Sequence, residues 1–409
     1  MDDKKNIAYL SHEIPGLSST FVYNEILSII EEGYSVDTFS IHKVENNFKT
    51  EQLTELASNT TYLYEHSLVD ILTANIKLVF SQPAHYLKTL FMCIGDLSKL
   101  IKSPKLVAGT CYRFLVGGLT ASHLKKKEIQ HLHIHFADIP SDIGMYAALL
   151  AKIDYSVTAH ANDIFERHWL INEKISRSKF FATISNYNIR LLTSRGADTQ
   201  KLNIVRCGVD STKFQSREAK AKSSPVRFGL VGRLVEKKGT HILIEACAEL
   251  CKTQSDFTIE IVGDGPEMTA LNTQAKRLRV NGHIQFLGSK AHADIAQWLD
   301  TLDYFVLPCV KDSNGDMDGI PVALMEAMLR GVPVISTDIS GVPELVIGDK
   351  TGLCVPNNNS SALATTLAQA ITEPELETLK RIENAKAIVK SEYDGKNNVL
   401  KLISLIEKH

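Results

Sequence analysis

The sequence predicts an α/β protein built from two Rossmann-like, doubly wound parallel-sheet domains facing a cleft. Three observations predict it. Short apolar runs alternate with helix-like segments from Val226 onward, the same rhythm runs less cleanly through the first half, and a polar segment, 211–224, separates the two. Strands that read as continuous apolar runs are buried on both faces, which implies βαβ units around a parallel sheet. A length of 409 residues suffices for two such domains, each burying its own core.

In the first half, 7–10 and 35–41 read as strands flanking a helix near 20–32, followed by strands at 131–136, 155–159, 180–184 and 203–205. In the second, strands at 226–231, 257–262, 284–287 and 304–308 alternate with helices at 240–251, 267–278 and 294–301. A helix at 321–329, strands at 332–336 and 351–355, and a helix at 360–371 continue the pattern. The expected organisation is therefore a first domain over 1–210, a linker over 211–224, a second domain over 225–390, and a helical tail, 391–409, that returns to the first domain.

With 45 Lys and Arg against 47 Asp and Glu, the net charge is −2, which argues against a nucleic-acid binder. A hydrophobic content of 44% excludes disorder. No apolar run reaches the ~20 residues of a spanning helix, and the N-terminus lacks the pattern of a signal peptide. Seven scattered cysteines without a Cys-x2-Cys pair fit reduced thiols and a cytoplasmic location. One stretch, 76–127, interrupts the βαβ rhythm with nine Lys and Arg against Asp96 alone. Such a segment is expected either to touch an anionic membrane, each charge contributing about 1 kcal/mol, or to be a solvated helical face over an ordinary core. A membrane contact would place the protein peripherally on the inner face.

Three loops carry the chemistry. After the 226–231 run comes Gly232-Arg-Leu-Val-Glu-Lys-Lys-Gly239, where the glycines allow a sharp turn and Arg233 and Lys238 set two cations beside a helix start, an anion site. The second loop, Gly263-Asp-Gly265-Pro, ends another strand but lacks the Gly-x-Gly-x-x-Gly and P-loop spacings, so it reads as a tight turn beside a nucleotide. Contacts to the base are expected around it and around Ser289, in the segment 288–290. In the third, Asp318-Gly319-Ile320-Pro321-Val322, Pro321 suits a first helical turn whose N–H groups would face an anion. Glu326 follows one turn on, a carboxylate among apolar neighbours that needs a partner. His131, His133 and His135 share one face of their strand. They read as structural histidines rather than a metal site, because no acidic or Cys partner is implied nearby.

These loops, with Phe286-Leu-Gly288, Leu307-Pro308, Gly331-Val-Pro-Val334 and Gly341-Val-Pro-Glu344, resemble the retaining glycosyltransferases of family 4, over about 227–355. The likeness is closest to bacterial exopolysaccharide and colanic-acid-type members. Asp318 stands where the family usually has the first Glu of a Glu-x7-Glu element. In the first half, Ile14-Pro-Gly16-Leu-Ser-Ser-Thr-Phe21 and Thr158-Ala-His160-Ala-Asn-Asp163 resemble the family's first loop and His segment, and Cys207-Gly-Val-Asp210 its hinge approach.

The resemblance implies a GT-B fold and transfer, with retention, of a hexose from a UDP- or GDP-sugar to a saccharide hydroxyl. The acceptor is expected to be lipid-linked, in exopolysaccharide, capsule or O-antigen synthesis. It assigns Arg233 and Lys238 to the leaving diphosphate, Gly16 to the approach of backbone to that phosphate, and Glu326 to the ribose. Asp318 and the segment Gly319 to Val322 fall to the donor sugar and phosphate, and His160 to the sugar from the other domain. No cofactor and no metal are implied. A nucleotide-sugar epimerase or hydrolase on the same frame, and a non-catalytic subunit of a polysaccharide-synthesis complex, are the alternatives.

Overall fold

The computed structural model describes residues 4–16, 19–44, 48, 50–211 and 222–408, so most of the 211–224 linker lies outside the described residues. The chain divides into two compact units, one of residues 1–184, 188–205 and 399–409, the other of residues 185–187 and 206–398.

The first unit is built on seven strands: β1 (Ile7–Ser11), β2 (Val36–Ser40), β3 (Thr61–Tyr62), β4 (His131–His135), β5 (Asp154–Ala159), β6 (Phe180–Thr183) and β7 (Leu202–Ile204). They lie in the order β3-β2-β1-β4-β5-β6-β7, all parallel. The order reverses between β1 and β4, which are neighbours, so their carboxyl ends flank the crevice where such sheets bind ligands. Every residue of β1 and β4 is buried, as two-sided coverage by helices requires.

The tail helix, Gly395–Glu407, begins in the second unit and ends in the first. There Val399, Leu402 and Ile406 join Ile7, Val22 and Ile26 in one apolar cluster. Full burial of each such side chain contributes up to about 1.5–3 kcal/mol. Lys5 and Lys179 donate to the Ile406 carbonyl at 2.9 and 3.0 Å and hold the last turn in place.

The 76–127 stretch differs from its expected form. It is no single basic patch, because its longest helix, Pro104–Lys126, is a core element packed on helix Ile139–Ala151. Arg113, counted among the surface cations, is buried and reaches Asp142 at 2.6 Å. Asp142 is shared with the fully buried Lys174 at 2.7 Å, so neither cation is left unpaired in a low-dielectric interior. Asp96 is likewise buried, and Arg177 binds both its oxygens at 2.6 and 2.7 Å.

The second unit carries β8 (Val226–Val231), β9 (Phe257–Val262), β10 (Ile284–Gly288), β11 (Tyr304–Leu307), β12 (Val334–Thr337) and β13 (Leu353–Val355). Their order, β10-β9-β8-β11-β12-β13, is again parallel throughout, with the reversal between β8 and β11. Glu344 ties the segment Ser185–Tyr187 into this unit. It accepts from the Asn186 and Tyr187 amides at 3.0 and 2.9 Å and from the Arg206 guanidinium at 3.1 Å. Nearby the chain leaves and returns side by side, the Val209 amide donating to the Tyr393 carbonyl at 2.9 Å and the Gly395 amide to the Val209 carbonyl at 3.0 Å.

Candidate active site

In the second unit the three loops meet at the carboxyl ends of β8, β9 and β11. Lys238 closes a single 3-10 turn, Glu236–Lys238, and Gly239 follows it at φ +66°. A Cβ on Gly239 would lie 1.8 Å from the Pro308 carbonyl oxygen, so glycine alone lets the β8 loop seat against the end of β11. Gly263, at φ +137°, does the same for β9, where a Cβ would fall 1.9 Å from the Gly232 oxygen. Gly265 follows two residues on, beside Leu234, and the exposed Ser289 lies just past Gly288, whose carbonyl accepts from the Gly263 amide at 2.9 Å.

This close packing of loops brings Lys238 Nζ to 2.7 Å from Asp318 Oδ2, while Lys237 reaches Asp316 at 2.7 Å and the other Asp318 oxygen at 3.7 Å. Burial works to raise the Asp318 pKa, but the two ammonium groups outweigh it and hold the carboxyl below its ordinary value. Burial likewise works to lower the Lys238 pKa, and the Asp318 carboxylate outweighs that, keeping the ammonium charged. Cys309 donates to Asp318 from 3.4 Å, and its own thiol is pushed far up by burial and the adjacent carboxylate. Arg233 is exposed at the mouth of the loop.

The segment after Asp318 is held by Ser340, whose hydroxyl donates to the carbonyl oxygens of Asp318 and of Gly319, the latter at 2.7 Å. Ile320 and Pro321 are buried. Pro321 is the N-cap rather than a residue of the first turn, since the helix runs Val322–Arg330. Its extended ψ still leaves the first N–H groups, from Val322 onward, directed out of the helix start. Glu326 is half-buried rather than enclosed: it shares an outer stripe with Val322, Ala323 and Arg330, while Leu324, Met325, Ala327 and Met328 carry the burial.

The first unit places Gly16 and His160 at the carboxyl edge of its own sheet. Gly16 lies in the loop after β1, where a Cβ would lie 2.4 Å from the Ser19 hydroxyl. His160 follows β5 and is 6% exposed. Asp163, one turn on, accepts the His160 amide at 3.1 Å, the Ala161 amide at 2.9 Å and the Ala137 amide at 2.7 Å, fixing the turn. Burial and the neighbouring Asp138 carboxylate push Asp163 up to about 6 in spite of those bonds.

The network beneath His160 was not legible in the sequence. Its Nε2 lies 3.1 Å from His135 Nδ1, His135 Nε2 lies 3.0 Å from Glu25 Oε1, and the Tyr9 hydroxyl donates to the same oxygen at 2.8 Å. The expectation that no acidic group stands near the three histidines is therefore corrected. Glu25 comes from helix Thr20–Glu31, a partner set by tertiary packing, and one ligand atom each from Glu25, His133 and His135 lies within 4.8 Å of the others. Those atoms are already engaged in hydrogen bonding, His133 also with Ser156 at 2.8 Å and Thr158 at 3.1 Å, while the neighbouring His131 contacts Ser156 at 2.7 Å. Burial drives His131, His133 and His160 toward the neutral form. His131 is pushed down to about 3, with Lys179 and Lys5 adding to the effect, and burial together with His135 holds His160 well below its ordinary value.

Residues 211–388 match the family of Glycosyl transferases group 1. Along nearly the whole chain the sequence is similar to the colanic acid biosynthesis glycosyltransferase WcaL of Escherichia coli, 28% identical over 98% of this chain and 99% of that one. It is also similar to the amylovoran biosynthesis glycosyltransferase AmsK of Erwinia amylovora, 28% identical over the same shares. Among solved structures, Anabaena HepE in complex with UDP superposes with a TM-score of 0.72 at 17% identity, covering 98% of this chain and 99% of that one. Sucrose-phosphate synthase from Thermosynechococcus elongatus gives 0.73 at 15% identity and 98% of both. Two parallel sheets of this order, together with these superpositions, give the chain the GT-B fold, and its residues 211–388 are similar to the Glycosyl transferases group 1.

Proposed function

We propose that this protein transfers a hexose from a UDP- or GDP-sugar to a hydroxyl of a saccharide acceptor, lipid-linked, in the synthesis of an exopolysaccharide, capsule or O-antigen, with retention and without a metal. The observation that carries the reading is the Lys238–Asp318 pair, 2.7 Å apart where the β8 and β11 loops meet beside the start of helix Val322–Arg330. The names of WcaL and AmsK, which belong to polysaccharide synthesis, and the UDP in HepE support it.

The chemical difficulty is the departure of a diphosphate on which negative charge develops. Lys238 and Arg233 meet that charge, helped by the N–H groups at the start of the Val322 helix. Asp318 keeps Lys238 charged and positioned before the donor arrives, and accepts a donor-sugar hydroxyl when it does. Glu326 holds the ribose, Gly16 allows backbone to approach the phosphates, and His160, neutral, makes a hydrogen bond to the sugar. The bond from the anomeric carbon to the leaving phosphate oxygen breaks as the bond to the acceptor oxygen forms on the same face, and the phosphate oxygen takes the acceptor proton.

The test is a thermal-shift panel of UDP, GDP, ADP and TDP and their hexose conjugates, with and without EDTA. A ligand at 100 times its Kd stabilises by about 2.7 kcal/mol. One nucleotide should give an EDTA-insensitive shift that Lys238→Ala removes. NMR of the product should then show the anomeric configuration of the donor. Hydrolysis or epimerisation without acceptor, or no shift with any donor, would overturn the reading. Lys238→Ala and Glu326→Ala should each lower turnover about 30- to 1000-fold while the protein still folds, Glu326→Ala with a melting temperature close to wild type, and wild-type rates in either would falsify the assignment.

A further inference from the structure

The outer faces of helices Leu68–Ser81 and Pro83–Lys99 in the first unit are apolar where a globular helix is normally charged. Each helix already buries one face: Ile71, Ala74 and Leu78 on the first, Tyr86 and Cys93 on the second. On the opposite side Val69 (71% exposed), Leu72 (51%), Ile76 (54%) and Phe80 (83%) follow one another at three- and four-residue steps. Phe91 (68%) and Ile94 (51%) do the same on the second helix. The two helices are consecutive, meeting at Gln82, and contact one another. Singly exposed apolar residues are ordinary, whereas this many on adjacent helices mark a binding surface.

We propose that this double-helix face docks on an anionic lipid bilayer, lying in its interface. Charge decides between lipid and a second protein as the occupant. The exposed Lys77 and Lys88 rise from the two helices themselves, Lys102 from the turn that follows and Lys105 from the first turn of the next helix. Against them the acidic residues of these helices are Asp70, engaged in the capping box with Ser67 at the first turn, and Asp96, buried against Arg177. Ammonium groups rimming aliphatic and phenyl side chains match phosphate headgroups above an acyl layer. No helix among the described residues is long and apolar enough to cross a membrane, so the contact is one of a face and not of a span. Of the lysines at 125–127, Lys125 is engaged by the Gln82 side chain at 2.9 Å and Lys127 by Asp37.

The experiment is vesicle flotation with the full-length protein, using phosphatidylcholine vesicles with and without phosphatidylglycerol. It needs neither donor nor acceptor, so it stands or falls apart from the glycosyl-transfer reading. Wild type should float with the anionic vesicles and lose binding as salt rises. Phe80→Ser with Phe91→Ser should weaken binding about 100-fold or more, Lys77→Glu with Lys88→Glu about tenfold or more, each with an unchanged melting temperature. Unaltered binding in both variants, or no binding by wild type, would overturn the proposal. So would a wild-type dimer in analytical ultracentrifugation that Phe80→Ser with Phe91→Ser dissolves while vesicle binding stays absent, because the face would then belong to a second copy.

Discussion

Lys238 and Asp318 tie the chemistry proposed for them to a structural demand. Their side chains are 19% and 13% exposed, so removal of either charge leaves the other in poor solvation. Asp318→Asn should therefore destabilise the protein as well as slow it. The folded state holds the Asp318 carboxyl below its ordinary value, so it binds fewer protons there than the unfolded chain does. The stabilisation is present above about pH 4 and is lost as pH falls through the depressed value. Melting curves of wild type and Asp318→Asn should accordingly differ at pH 7 and converge toward pH 3; a gap independent of pH would show that the ionised pair does not carry the effect. Beneath His160, Glu25→Ala leaves Tyr9 and His135 without their shared acceptor and should cost about 1–3 kcal/mol in urea titrations.

At the scale of elements, β4 and the turn that holds Asp163 make opposite demands on pH. The alternation in β4 sets His131, His133 and His135 on one buried face, and burial keeps His131 and His133 neutral in the folded protein. The unfolded chain protonates them below about pH 6.5, so the folded state binds fewer protons and stability should fall on acidification, by roughly 1 kcal/mol per pH unit for each histidine held neutral. Asp163 acts in the opposite sense, since a carboxyl raised to about 6 contributes stability at low pH that is lost as pH rises through that value. One carboxyl against His131, His133 and His160 leaves a net loss on acidification from pH 7 to pH 5, measurable by urea titration at each pH. A flat profile would mean that the cluster is already charged or coordinates a metal. Glu344 accepts two backbone amides and a guanidinium, and Glu344→Ala should cost about 2–4 kcal/mol by exposing those donors without partners.

At the scale of the molecule, each unit repeats one construction: a parallel sheet whose order reverses beside its first strand, with glycine-bearing loops at the carboxyl edge. The expected vesicle binding belongs to this scale too. A lipid-linked acceptor lies in a membrane plane, and a face that docks there would raise the local concentration of acceptor without adding a contact to the reaction.

Strand and helix rhythm, the glycine loops and the cations were legible in the sequence because each depends on local spacing: a buried strand must be an apolar run, and a strand-to-helix turn pressed on its neighbour must be glycine. Other elements were not legible, β3 and helix Glu375–Glu392 among them. β3 is two residues long and exists only by pairing with Phe39 and Ser40, while helix Glu375–Glu392 buries Thr378, Arg381, Ala385 and Val389, a stripe too polar to show the helical period. Tertiary structure alone decided which charges meet. It gave Asp318 to Lys238 across eighty residues of chain, Asp142 to Arg113 and Lys174, and Glu25 to His135. It also turned the basic stretch 76–127 into one core helix and two helices with apolar outer faces. The physical reason is that hydrophobic period is written along the chain, whereas the partner of a buried charge is fixed only once distant segments are packed against it.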